Sequence, residues 1–406
     1  MTIKEFNLVN IVVCIYILGI SLLPDGNVLI KIFRLLILGV FILYILKNRK
    51  VIINRYIKWS VLFSLFCFTS IYWAESRATA FSGALTVLWN SICTSCIVII
   101  ISADKRYFYN AIKTIFFSSI VYGALVFVKY GYLVFINQRY IEKISANTVG
   151  IRASIGILLA LIIISQSSKY KKLYILGSGI NILWIILSAS RKSLLILIIS
   201  LSIYMIFKNK NVTSLFRNGI FVIISLFAIY YCIMNVSFLY EFIGNRIETM
   251  IKGILGSGKT DGSTMFRMEL INWGKEWFYK KPILGYGIDN YRYLLGFKNT
   301  WAGTEGTYAH NNFIELLVSG GLVGMIMYYW IYLDTILTIF KEFGKRNIKL
   351  ILGLGLILGL LINEYGLVTY SNKYIQLIIG VLWTLVIYEK NILTVTTFNG
   401  GEMFIE

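Results

Sequence analysis

A single histidine, His310, stands in Tyr308-Ala309-His310-Asn311-Asn312-Phe313, where a long polar segment runs into a strongly apolar one. Near neutral pH an imidazole is the side chain whose ordinary pKa suits proton transfer, so acid–base chemistry at that pH would fall to this residue. Asn312-Phe313-Ile314-Glu315 has the pattern of a capping box, with Asn312 as the cap and an acid at the third helical position. His310 would then lie beside the positive end of a helix dipole, which favours the neutral imidazole of a general base and attracts anions. With no second histidine and no cysteine beside it, no metal site is expected.

Two arginines offer a partner chemistry. Arg191 sits in Ser188-Ala189-Ser190-Arg191-Lys192-Ser193, a tight turn between two apolar runs, where hydroxyl and guanidinium donors can converge on a phosphate. An arginine there can also simply reach the lipid headgroups. Arg267 falls in the first turn of an expected amphipathic helix, and its planar fork suits bidentate phosphate contact. Asn147, Gly150 and Arg152 open another apolar run, as helix caps or as part of a site.

Two other motifs carry no chemistry. Gly253-Ile254-Leu255-Gly256-Ser257-Gly258-Lys259-Thr260 satisfies the phosphate-loop pattern, but no buried strand precedes it and Asp261-Gly262-Ser263 interrupts any helix after it. It reads as a Gly/Ser loop. Cys93-Thr94-Ser95-Cys96 lies inside an apolar run with no histidine nearby, and all five cysteines read as small buried hydrophobes.

The elements that must position these residues are membrane helices. The chain is 58% hydrophobic and only 14% charged, with a mean hydropathy of +0.74. Repeated apolar stretches, each long enough for a hydrocarbon core of roughly 30 Å, predict an all-α integral membrane protein. Twelve spans are expected, near 7–24, 28–46, 57–73, 79–101, 108–129, 147–165, 172–188, 192–207, 218–236, 312–340, 350–366 and 374–388. The first reads as a span, not as a cleavable signal. The loops around 47–58, 105–106, 169–172, 208–217 and 341–349 are rich in Lys and Arg, and the opposite loops are poor in them. That asymmetry puts both termini in the cytoplasm. It also accounts for the net charge of +20 without a nucleic-acid partner.

One single membrane domain, 1–406, is expected, with 237–311 as its large extracytoplasmic loop. The loop carries Trp273, Trp277, Phe278, Tyr286, Tyr291, Tyr293 and Trp301, which argues for order. Phe266, Leu270, Trp273 and Trp277 recur at helical spacing, which predicts an amphipathic helix over 264–280, stopped by Pro282 and suited to the membrane surface. Gly320, Gly321 and Gly324 predict close helix packing.

Taken in order, these motifs resemble the Wzy/O-antigen ligase-like family, over roughly 145–330. The pieces are Asn147-Thr148-Val149-Gly150, Ser190-Arg191, Arg267 with Leu270 and Trp273, Pro282-Ile283-Leu284-Gly285-Tyr286-Gly287, Tyr308-Ala309-His310-Asn311-Asn312-Phe313-Ile314-Glu315 and Gly320-Gly321 with Gly324. The resemblance implies a GT-C-like fold of about twelve transmembrane helices. It implies a metal-independent, cofactor-free glycosyltransferase of the bacterial plasma membrane, acting on its extracytoplasmic face. The donor would be an undecaprenyl diphosphate-linked oligosaccharide of O-antigen, capsule or exopolysaccharide synthesis. Arg191 and Arg267 would bind the diphosphate and His310 would act on the acceptor hydroxyl. Asn147, Arg152, Ser190, Asn311, Trp273, Tyr286 and Tyr308 are expected to line the substrate. Lys192 stands where small residues are common in the family. The activity expected first is repeat-unit polymerisation, with a chain-length regulator as a partner. Ligase-type transfer to a lipid or protein acceptor comes next, and non-enzymatic flipping of the lipid-linked glycan third.

Overall fold

A computed structural model describes residues 3–24, 26–48, 50–51, 53–131, 140–141, 144–166, 169–209, 211–245, 247–249, 262–298, 307–345, 347–390, 396–399 and 402–405. Helices carry the fold: α1 Ile3–Leu22, α2 Val28–Asn48, α3 Arg55–Thr69, α4 Arg77–Ala103, α5 Lys105–Tyr130, α6 Ala146–Ile164, α7 Lys171–Ser188, α8 Arg191–Phe207 and α9 Val212–Asn235. After these come α10 Gly262–Lys280, α11 Asn290–Leu295, α12 Asn312–Lys341, α13 Ile348–Asn363 and α14 Lys373–Lys390. Among the described residues, strands are two to four residues long. Lys50–Val51 pairs antiparallel with Thr396–Asn399, which pairs with Glu402–Ile405, and Tyr140–Ile141 pairs with Ile144–Ser145.

A helix lies at each of the twelve apolar segments. Eight helices among the described residues are long and apolar enough to cross a membrane: α2, α4, α5, α6, α7, α9, α12 and α13 with its extension to Gly366. The apolar part of α1 is shorter, Leu8–Leu22. Helices α3 and α8 have 15 and 17 residues, and α14 carries Lys373, Glu389 and Lys390 within its 18.

The apolar pattern is inside-out as well as inside. Positions 373–387 of α14 are all buried, so this helix runs through the interior, with α4 against it where Gly380 meets Val98 and Thr94. Helices α6 and α13 are largely buried too. By contrast α2, α7 and α9 turn Leu35, Leu43, Leu176, Leu183, Ile223 and Phe227 outward. Large apolar faces on peripheral helices, with backbone groups bonded within each helix, are what lipid requires. The protein is an integral membrane protein.

Helix α12 is broken at Gly321, whose φ of 63° and ψ of −165° lie in a region essentially open to glycine alone. The segment after α10 docks into the break. The Leu322 and Val323 amides donate to the Pro282 and Ile283 carbonyls (2.9 and 3.2 Å), and the Tyr286 amide donates to the Val318 carbonyl (2.8 Å). The docked turn segment thus satisfies groups that the interrupted helix leaves open. Gly285, at φ 67°, faces the Gly321 amide so closely that a Cβ there would stand 2.7 Å from it. The glycines expected to allow helix packing therefore split in role: Gly324 lies against Phe66, while Gly321 makes the break. Gly321→Ala is expected to destabilise the fold by at least about 1–3 kcal/mol from backbone strain. Gly320→Ala, 3.2 Å from the Phe66 ring edge, should cost far less. Thermal unfolding of the two variants in detergent checks the contrast.

Candidate active site

The α7–α8 turn is only two residues long. Ala189 ends α7 in the left-handed conformation (φ 44°), and Ser190 caps α8 by accepting from the Ser193 amide (3.4 Å). The Ser190 carbonyl accepts from the Ser193 hydroxyl (2.6 Å), and the Ser154 hydroxyl of α6 donates to the Ser193 carbonyl (2.9 Å). Gly150 of α6 lies so close to this turn that a Cβ would stand 2.8 Å from the Ser193 Oγ. From the other side α13 grips α8: Gly355 faces Ser200 and Gly359 faces Ile196, backbone to backbone. The Asn363 Nδ2 donates to the Lys192 carbonyl (3.1 Å), and the Lys192 Nζ donates to the Gly366 carbonyl. A tightly held helix start therefore presents Arg191 and Lys192. Two cations at the positive end of a helix run against the usual dipole preference, and together they raise the local positive potential.

His310 sits just before α12 with φ 52°, a left-handed conformation uncommon outside glycine. The cap of α12 is Asn311, one residue before the expected one: its Oδ1 accepts from the Phe313 and Ile314 amides (3.0 and 3.1 Å). Glu315, fully buried, accepts from the Ala309 amide (2.8 Å) and so ties down the residue preceding His310. Asn312 faces inward instead of capping. Its Oδ1 accepts from the Thr369 and Tyr370 amides (2.9 and 3.2 Å), and its Nδ2 donates to the Tyr329 hydroxyl (2.9 Å) and Glu364 (3.1 Å). Glu364 also accepts from Tyr329 (2.6 Å), Tyr332 (2.7 Å) and Thr369 (2.5 Å). This buried network locks the start of α12 to the end of α13, the same end that grips α8. The His310 and Arg191 segments are thereby held by one frame.

Arg267 arrives on α10. Leu270 and Trp277 of that helix pack against Tyr291 and Val318, and the Tyr291 hydroxyl donates to the Leu270 carbonyl (2.6 Å). Gly274 lets α10 lie directly on Ile314 of α12. Arg267 is half-buried and close enough to Lys192 and His310 to act on both electrostatically, as Arg191 does on Lys192. Burial, then the charges of Arg267 and Lys192, push the His310 pKa down to about 4. The imidazole is therefore neutral at pH 7, the form that can accept a proton. Among the described residues, neither Arg267 nor Lys192 has a carboxylate within ion-pair distance.

Arg267 and His310 are thus brought within electrostatic range of each other and of Lys192, whose chain neighbour is Arg191. Asn147 lies on the α6 face that carries Gly150 and Ser154 and so looks toward the Ser188–Ser193 turn. Tyr308 is exposed, its ring 4.3 Å from that of His310. The side chains of Ser190 and Asn311 are occupied as helix caps. Arg152 points elsewhere: it donates to the Ser21 carbonyl at the end of α1 and lies over Tyr122 (3.9 Å) and Tyr374 (5.0 Å). With Lys373, which donates to the Leu23 carbonyl (3.2 Å), it satisfies carbonyls that the end of α1 leaves open. Tyr286 and Trp277 are buried in the core beneath α10, with Trp273 packed at its edge, so the aromatics serve the loop's own core instead of lying on a membrane surface. Trp301 and the phosphate-loop pattern at 253–260 lie outside the described residues. Sequence reasoning missed Lys192 and Glu364 as members of the site. An acid inside the apolar run 350–366 was the available signal for Glu364. Among the described residues no three His, Cys, Asp or Glu side chains cluster as metal ligands.

Fold and site together define an integral membrane protein with a cationic, histidine-bearing centre at one end of a helical bundle. Residues 176–329 match the O-antigen ligase family, Wzy_C, a segment that runs from α7 into α12 and contains Arg191, Arg267 and His310. The match supports the resemblance read from the motifs. Members of that family are membrane glycosyltransferase-like enzymes, ligases and polymerases, that act on lipid-linked oligosaccharides. No curated protein matches the chain.

Proposed function

We propose that the protein polymerises polyprenyl-diphosphate-linked oligosaccharide repeat units on the outer face of a bacterial plasma membrane. The observation that carries the reading is the convergence of Lys192, Arg267 and His310 from three separate elements, with Arg191 next to Lys192 at the start of α8 and His310 neutral. The arginines hold the donor diphosphate. The acceptor hydroxyl attacks C1 of the donor sugar while His310 takes its proton, and the bond from C1 to the diphosphate oxygen breaks. A single displacement of this kind inverts the anomeric centre. The polyprenyl tail stays in the membrane beside the bundle, and the proton transfer needs no metal. The basic loops at 47–58, 105–106, 169–172, 208–217 and 341–349 favour a cytoplasmic location for the opposite end of the bundle.

A ligase that moves finished glycan from the same carrier would use the same three residues. Purified protein given a defined lipid-linked repeat unit and no other acceptor distinguishes the two. Chain growth is expected, whereas growth only after a separate lipid or protein acceptor is added would favour the ligase.

A further inference from the structure

Lys192 has no part in the two-arginine reading, yet it stands inside the same site. Its stem lies between α8 and the Glu364–Gly366 extension of α13, where a Cβ on Gly366 would stand 2.9 Å from the Lys192 Cε. Its ammonium donates to the Gly366 carbonyl, which orients the charge without neutralising it. Arg191, Arg267 and His310 all lie within its electrostatic reach. The site therefore sets three basic side chains around one imidazole that is neutral at pH 7.

We propose that Lys192 stabilises the negative charge that appears on the departing lipid diphosphate, an inference that rests on the glycosyl-transfer reading above. In the donor, the diphosphate is esterified at both ends and carries one ionised oxygen on each phosphate, a charge that Arg191 and Arg267 match. As the C1–oxygen bond breaks, its electron pair remains on the terminal phosphate oxygen. The acceptor oxygen bonds to C1 and passes its proton to His310. New negative charge thus forms on the phosphate and new positive charge on the imidazole. A third fixed cation interacts more strongly with that transition state than with the bound donor, so it acts on the chemical step.

The test uses the purified full chain in lipid vesicles with a synthetic polyprenyl-diphosphate oligosaccharide as donor. Lys192→Met is expected to lower kcat roughly 10²-fold, with little change in donor KM. Inhibition by added polyprenyl diphosphate should weaken in parallel, because that product carries the charge Lys192 meets. Lys192→Arg should recover most of the rate, which a purely structural lysine would not require. Where Lys192→Met does not insert, Lys192→Gln, which keeps a donor for the Gly366 carbonyl, carries the same expectation. Neutral variants with unchanged kcat and product inhibition, or a loss confined to KM, would overturn the proposal. Arg191→Ala and His310→Ala, run in parallel, separate the two claims. If both remain active, the glycosyl-transfer reading itself fails. If both are dead while neutral Lys192 variants turn over normally, only the role of Lys192 fails.

Discussion

His310→Ala is expected to cut glycan transfer by roughly 10²–10⁴-fold while the protein still inserts and melts normally. The side chain is half-buried at the edge of the site, with its ring beside that of exposed Tyr308, so its removal opens no large core cavity. The pH profile of the wild type gives an independent reading of the same residue. In the protein without donor His310 has a pKa pushed down to about 4, because burial and then Arg267 and Lys192 disfavour the charged ring. The neutral base is present above that pH and lost as pH falls through it, so kcat/KM should decline on the acid side near pH 4. A bound diphosphate offsets Arg267 and Lys192. The acid limb of kcat should therefore lie higher, toward the ordinary histidine value, and the base gains strength when the donor is in place. Profiles of both parameters with one donor check this separation.

Arg267→Ala carries the second large effect, a loss of roughly 10²–10³-fold in kcat. Its charge is also one cause of the low His310 pKa, so the acid limb of kcat/KM should move upward in this variant. Arg267→Lys keeps the charge but not the bidentate fork, and should recover the pH profile more fully than the rate. A variant with the lost rate and an unmoved acid limb would separate Arg267 from His310 and break the proposed cluster.

Much of this arrangement was legible because it follows local periodicity. The apolar runs mark helices, eight of which among the described residues are long and apolar enough to cross a membrane, and Phe266, Leu270, Trp273 and Trp277 mark α10 by their spacing alone. His310, Arg191 and Arg267 stand out by residue type and by their place at the ends of apolar runs. What stayed hidden depends on partners distant in the chain. Asn311 rather than Asn312 caps α12 because Asn312 is drawn inward by Glu364 and by the amides of Thr369 and Tyr370. Arg152 is turned away from the site by the carbonyl end of α1, and nothing near it in sequence announces that contact. The break at Gly321 belongs to the same class. An isolated glycine pair reads as close packing, and only the docked segment from Pro282 to Tyr286 shows why the helix opens there. Lys192 looked like a departure from a pattern until the fold set its charge beside His310.

In the proposed reaction His310 drives glycosyl transfer from a lipid diphosphate held by Arg191 and Arg267. The most direct measurement is the single-turnover release of polyprenyl diphosphate by purified wild type and His310→Ala, each saturated with the same lipid-linked repeat unit. The wild type is expected to release one polyprenyl diphosphate per new glycosidic bond, and the variant almost none on the same timescale. Equal release and equal bond formation by the two proteins would contradict the proposed reaction.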